Sequence, residues 1–277
     1  MFRRTRALRA YALAHSASLT ITLALLLALP LMGASTPRGI RDSLRQLFDW
    51  GTTYPVVRSV SFFTATVGSP SSFSPFELVA GDLLVTVVET ANGAEPAATG
   101  WTALPDGSSA TGADCVATPA TTCARVFVLY RVADGVDDTI SLNDTGDHTN
   151  YATFAVMKDT FDPVTPFDTT VAATSQVAGT AVSITGFTAD RPHSMIVVLS
   201  GAALPDATTT STEWSAITYG NTLFPAIRLH NTSVQGLGGG ILLLTSLLSE
   251  AGPTGTFTAT AATSSVRVHV VFAIHGA

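Results

Sequence analysis

The sequence predicts an all-β body, an antiparallel β-sandwich of jelly-roll type, preceded by an N-terminal apolar helix and a short amphipathic helix. Three observations predict it. From Val56 onward, short β-branched and aromatic runs are broken by Gly, Pro, Asp and Asn, the pattern of many strands joined by turns. No helix-length periodic segment interrupts these runs, so the crossovers that a parallel α/β sheet requires are missing. Finally, the chain changes physical character near residue 50: residues 1–50 hold seven arginines against Asp42 and Asp49, a net +5, whereas residues 51–277 hold seven cations against eighteen acids, a net −11. The domain boundaries that follow are 1–52 for a basic, apolar arm and 53–277 for the sandwich.

The arm comes first. Between Arg9 and Arg38 lie twenty-eight residues without a formal charge, more than the ~20 apolar residues that cross a bilayer. Four arginines before the stretch and an acidic body after it fit an N-in, C-out orientation. Three readings stay open. One is a secretory signal cleaved near the small residues Gly33 and Ser35; another is a membrane anchor through residues 10–37. The third is an apolar helix buried in protein, for instance among three copies around a common axis. After Pro37, the residues Ile40, Leu44, Leu47 and Phe48 recur on one face of a short amphipathic helix, which Gly51 ends.

In the body, the strands expected are 56–67, 82–90, 124–133, 138–143, 150–161, 180–189, 194–202, 212–220, 226–232, 240–248, 254–262 and 265–275. The continuous apolar runs at 83–88 and 195–199 predict central strands covered on both faces. Clean alternation near the C-terminus puts Val266, Val268 and Val270 on one face and Arg267 and His269 on the other, which predicts one wet face and a solvent-facing His269.

Cys115 and Cys123 are the two cysteines, separated by a stretch centred on Pro119. A hairpin or short loop brings them within bridging distance, so they are the disulfide candidate in an oxidising compartment. No His or further Cys lies near them to complete a metal set.

The composition excludes several functions. Lys158 is the single lysine and the body has no basic stripe, so no nucleic-acid partner is expected. Neither a GxSxG elbow nor HExxH nor a phosphate-cradling loop occurs, and the expectation is a non-enzyme with no catalytic residues, no metal ligands and no cofactor. The densest acidic stretch, Asp134, Asp137, Asp138, Asn143, Asp144 and Asp147, offers oxygen ligands for Ca²⁺ on neighbouring turns. Its residues are equally those of hairpin turns, and its spacing matches no EF-hand. Trp214 and Tyr219, beside Asn221, are the candidates for stacking on a ligand such as a sugar ring, against the plainer reading of a strand aromatic as core.

A string of motifs then stands out: AGDLLVTVVE at 80–89, ATGWTAL at 98–104, RVFVLYRVADGVDDTISLN at 125–143, YATFAVMKDTFDPVTPFD at 151–168, ADRPHSMIVVLSG at 189–201 and VRVHVVFAI at 266–274. Over about residues 60–275 the chain resembles the β-sandwich domain of bacteriophage minor tail proteins and other virion surface proteins, also found in some secreted bacterial proteins. The resemblance implies a virion structural protein on a tail or particle surface. Its implied partners are other virion proteins and sister chains in a homo-oligomer such as a trimer, and a host-surface glycan. It carries over no functional residues. The alternative expectation is a membrane-anchored bacterial cell-surface protein that binds carbohydrate or another surface protein.

Overall fold

The computed structural model describes residues 54–65, 71–73, 78–90, 98–111, 123–135, 139–142, 149–204, 213–218, 227–233 and 239–277, all within the compact unit Thr52–Ala277. The predicted arm, with its apolar helix over 10–37 and amphipathic helix over 40–48, lies outside them. Among the described residues no helix is long and apolar enough to cross a membrane.

The described chain is all-β. In order, the strands are β1 (Val57–Ala65), β2 (Ser71–Phe73), β3 (Leu83–Thr90), β4 (Thr102–Thr111), β5 (Ala124–Val132), β6 (Ile140–Leu142), β7 (Thr149–Val156) and β8 (Ala172–Thr185). They continue with β9 (Thr188–Ala189), β10 (Ser194–Ala202), β11 (Trp214–Thr218), β12 (Ile227–Ser233), β13 (Gly240–Leu248), β14 (Gly252–Pro253) and β15 (Thr256–Ile274). One sheet runs β1-β7-β3-β5-β4 and the other β11-β15-β10-β13-β12, with β8 also paired to β15; β14-β9 and β2-β6 form two small ribbons. Pairing between these strands is antiparallel throughout.

The central strands are the ones with unbroken apolar runs. β3 lies between β7 and β5, β10 lies between β15 and β13, and every residue of both is buried. Alternate residues serve opposite faces. Leu83, Val85 and Val87 of β3, Phe154 of β7 and Val126 of β5 share one core cluster with Val197, Leu199, Leu243, Val270 and Phe272 of the second sheet. Each such aliphatic side chain contributes about 1.5–3 kcal/mol by leaving water.

The second sheet is apolar on its other face too. Ile196 and Val198 of β10, Leu242 and Leu244 of β13 and Val271 of β15 pack with Val182 and Ile184 of β8, Trp214 of β11 and Phe257 of β15. The first half of β15 pairs with β8 through Thr256↔Thr185 and with β11 through Thr260↔Ser215; the second half pairs with β10 through Met195↔Ile274. β8 accompanies both halves of β15, from Thr256↔Thr185 to Val271↔Ala172, so the long strand holds these strands in one sheet.

This architecture corrects four expectations. The strands predicted at 254–262 and 265–275 are one, because the Thr-Ser-Ser stretch is absorbed as register shifts around Ser265 without breaking the ladder to β8. β8 starts at Ala172, well before the predicted 180, and its first half is a largely exposed strand with too little apolar alternation to be recognised. β4 was missed altogether because Pro105, Asp106 and Gly107 read as a turn; they sit in a bulge between Ala103 and Ser108, Asp106 has φ 54°, and the strand lies at the sheet edge, where proline is tolerated.

The fourth correction concerns the supposed wet face of β15. Arg267 and His269 are both buried. Arg267 is accommodated by four acceptors around its terminal nitrogens: its Nη2 donates to Glu213 Oε1 at 2.8 Å and Thr263 O at 2.5 Å, and its Nη1 to Gly179 O at 2.5 Å and Ser265 O at 2.8 Å. His269 Nε2 lies 3.4 Å from Gln176 Oε1. Burial, reinforced by the Arg267 charge, pushes the His269 imidazole down to about 3, so it is neutral at pH 7. Alternation correctly gave the two faces of the strand, but polar identity did not mean exposure.

Candidate functional site

The segment after β7 doubles back along the end of β15 as a strap. Asp162 N donates to His275 O at 3.1 Å, His275 N to Pro166 O at 2.9 Å, and Asp168 N to Ala273 O at 3.2 Å, with bridges Phe161↔Gly276 and Phe167↔Ile274. Its tight turn follows from the sequence Asp162-Pro163-Val164-Thr165-Pro166. Asp162 Oδ1 accepts from Val164 N at 2.8 Å and Thr165 N at 3.2 Å, and Oδ2 accepts from Thr165 Oγ1 and Arg191 Nη1, both at 2.7 Å. An aspartate that caps its own turn is the expected device here, with Pro163 presetting the backbone. These bonds, led by the Thr165 hydroxyl, hold the Asp162 carboxyl well below the usual carboxylate range.

Where the strap meets the loop after β9, three titratable side chains converge. Asp168 is buried; its Oδ1 accepts from Thr170 N at 2.9 Å and its Oδ2 from Asp190 N at 2.8 Å. The Asp190 side chain is 45% exposed and closes the cluster from the solvent side. His275, on the last turn of chain after β15, is 2% exposed. Its Nδ1 lies 2.7 Å from Thr165 O, which can only accept, so Nδ1 carries a proton. Its Nε2 then faces the carboxylates, 3.1 Å from Asp190 Oδ1 and 4.0 Å from Asp168 Oδ2, without the alignment of a hydrogen bond to either. One ligand atom from each of the three residues lies within 4.8 Å of the others.

Sequence reasoning missed this cluster. Asp168 and Asp190 were visible only as members of motifs, and His275 as a strand terminus; their meeting depends on the strap folding back on the C-terminal strand. The signal that was available is the density of Asp and Pro between 162 and 168, which marks a rigid, self-capped turn.

The predicted site residues fall elsewhere. Trp214 is fully buried in the second core cluster, so its ring offers no face for stacking on a ligand from solvent, and the core reading of this strand aromatic is the one observed. Tyr219 lies outside the described residues. Cys123 is buried and disulfide-bonded, and its expected partner Cys115 lies outside the described residues. Of the acidic stretch, Asp134 pairs with Arg131 at 2.9 Å on the surface, while Asp137, Asp138, Asn143, Asp144 and Asp147 lie outside the described residues.

The motif residues have structural roles. Trp101 is half-buried with the Arg131 guanidinium 6.0 Å from its ring centroid, which ties the Gly-Trp-Thr motif to β5. Gly135 has φ 77° and a Cβ there would meet Ala80 Cβ at 3.1 Å, which accounts for the glycine in that turn.

No family model, curated protein or solved structure matches this chain. The fold and the Asp168-Asp190-His275 cluster therefore define it as an all-β chain of antiparallel sheets with a carboxylate-imidazole site beside its C-terminal strand.

Proposed function

We propose that the chain is a virion structural protein, a minor tail or particle-surface component that displays a β-sandwich for assembly or host-surface binding and is docked through its N-terminal apolar segment. The observation that carries this reading is the junction near residue 50, where a net +5 segment with twenty-eight uncharged residues gives way to a net −11 body. Such a division suits a part embedded in one environment and a part presented to another. The shared core cluster of the two sheets supports the sandwich of jelly-roll type. Display to a glycan is supported by an exposed hydroxyl surface on neighbouring strands: Ser183 and Thr185 of β8, Thr256, Thr258 and Thr260 of β15, and Ser215 and Thr218 of β11. Its hydroxyls already pair across strands, Thr218 Oγ1 to Thr258 Oγ1 at 2.6 Å. Sister chains in a homo-oligomer, a trimer among the possibilities for burying three apolar helices, are the expected neighbours of the arm.

Proteomic analysis of purified particles, with cross-linking to locate the arm, is expected to find the chain as a stoichiometric component whose residues 1–52 join to sister chains or other virion proteins. Its absence from particles made by the host that encodes it removes this reading. The uncharged stretch behind four arginines also favours a second one, a membrane-anchored cell-surface protein with its body outside. Fractionation of particle-free cells separates the two, because the anchored form sediments with membranes and its body is cut by protease added to intact cells.

A further inference from the structure

We propose that Asp168, Asp190 and His275 form a binding site for a divalent transition-metal cation of the Zn²⁺ kind. The imidazole carries the argument. His275 is buried, and its Nδ1–H donates to Thr165 O at 2.7 Å, which orients the ring so that Nε2 is aimed between two carboxylates. A cation placed between Nε2 and the two carboxylates would meet one nitrogen and two oxygen donors at once. Metal-binding imidazoles are oriented in just this way, with the far ring nitrogen donating to a carbonyl or carboxylate. Nε2 is also a buried polar atom without a hydrogen-bond partner, although Asp190 Oδ1 lies 3.1 Å away.

Spacing and charge agree. Ligand atoms bound tetrahedrally at about 2.0–2.1 Å from a cation stand about 3.3 Å apart, and the three atoms here lie within 4.8 Å of one another. Asp168 is held in place by Thr170 N and Asp190 N. The 3.1 Å between His275 Nε2 and Asp190 Oδ1 is close to that spacing, the 4.0 Å to Asp168 Oδ2 must shorten by about 0.7 Å, and the half-exposed Asp190 can adjust to the ion and leaves the outer side open to water as a fourth ligand. The guanidinium of Arg191 does not neutralise the pair, because it binds Asp162 at 2.7 Å. One nitrogen and two carboxylate donors without a thiolate favour Zn²⁺, then Mn²⁺, over Ca²⁺ and Mg²⁺, which prefer all-oxygen sites. A bound cation would tie together the strap after β7, the loop between β9 and β10, and the end of β15.

The test uses the full-length protein, stripped with a chelator and titrated calorimetrically with Zn²⁺, Mn²⁺ and Ca²⁺ separately. Saturable one-site Zn²⁺ binding is expected, with weaker Mn²⁺ binding and Ca²⁺ weaker by at least about tenfold. Asp190→Asn and His275→Gln should each lower Zn²⁺ affinity by about tenfold or more, and at one Zn²⁺ concentration the melting temperature of the parent chain should rise more than that of Asp190→Asn. Because Asp190 is largely at the surface, its variant is expected to keep the parent circular dichroism even if His275→Gln does not fold. Zn²⁺ binding that is absent, or that is unchanged in Asp190→Asn, overturns the site. Ca²⁺ binding as tight as Zn²⁺ with the same residue dependence overturns the assigned metal class.

Discussion

Asp82 is a fully buried carboxylate that accepts from four directions: Arg58 Nε at 2.6 Å, Arg58 Nη2 at 3.2 Å, Val79 N at 3.1 Å and Lys158 N at 3.0 Å. It fastens the turn before β3 to β1 and to the segment after β7. The Gly81-Asp82 pair in the first motif is therefore a structural device: Gly81 supplies a φ of 93° and its N–H bonds Ala133 O at 2.9 Å, while Asp82 supplies the acceptor. Removing one partner of a buried ion pair leaves the other charge uncompensated, so Asp82→Asn is expected to destabilise the fold by about 3–5 kcal/mol, read as a lower urea midpoint. A loss below about 1 kcal/mol would mean that Arg58 finds water or another acceptor on its own. At this scale the sequence displayed the residue types but not their partners, since no local pattern pairs Arg58 with Asp82 and Lys158 contributes only its backbone N–H.

Element by element, legibility followed the strength of the apolar signal. β3, β10 and β13 are recognisable because their buried runs are long and their flanks are turn residues, and the structure covers them on both faces. β4 and the first half of β8 escaped because they lie largely exposed, where Pro, Ser and Thr cost little. β10 also holds Gly201 where the two sheets approach closely: a Cβ there would meet Val126 Cγ1 of β5 at 2.5 Å and Glu89 Cγ of β3 at 2.9 Å. Gly201→Val would force β10 away from β5 and is expected to destabilise by about 1–3 kcal/mol, the usual range for overpacking. Denaturation of the variant checks this, and a wild-type midpoint would show that the sheets can part without loss.

For the whole molecule, the buried polar groups of β15 couple stability to pH. His269 takes a proton near 6.5 in the unfolded chain but only near 3 when folded. Between those values the unfolded state binds more protons, so stability falls as pH is lowered, by up to ~1.4 kcal/mol per pH unit from this group. Urea midpoints measured at about pH 7 and about pH 4.5 should therefore fall more steeply for the parent chain than for His269→Gln, in which the group cannot titrate. Parallel curves would place the acid sensitivity elsewhere. The sequence by itself determined that the body is made of antiparallel strands and that its basic, apolar arm is chemically distinct, because both are written in local composition and in period-two alternation. Tertiary structure alone decided that Arg267 and His269 are interior, since β8, β11 and the first half of β15 bury that face and Glu213 supplies the countercharge. It alone also brought Asp168, Asp190 and His275 within ligand distance, since their convergence depends on a strap folding back along the last strand, and no local pattern encodes such a long-range contact.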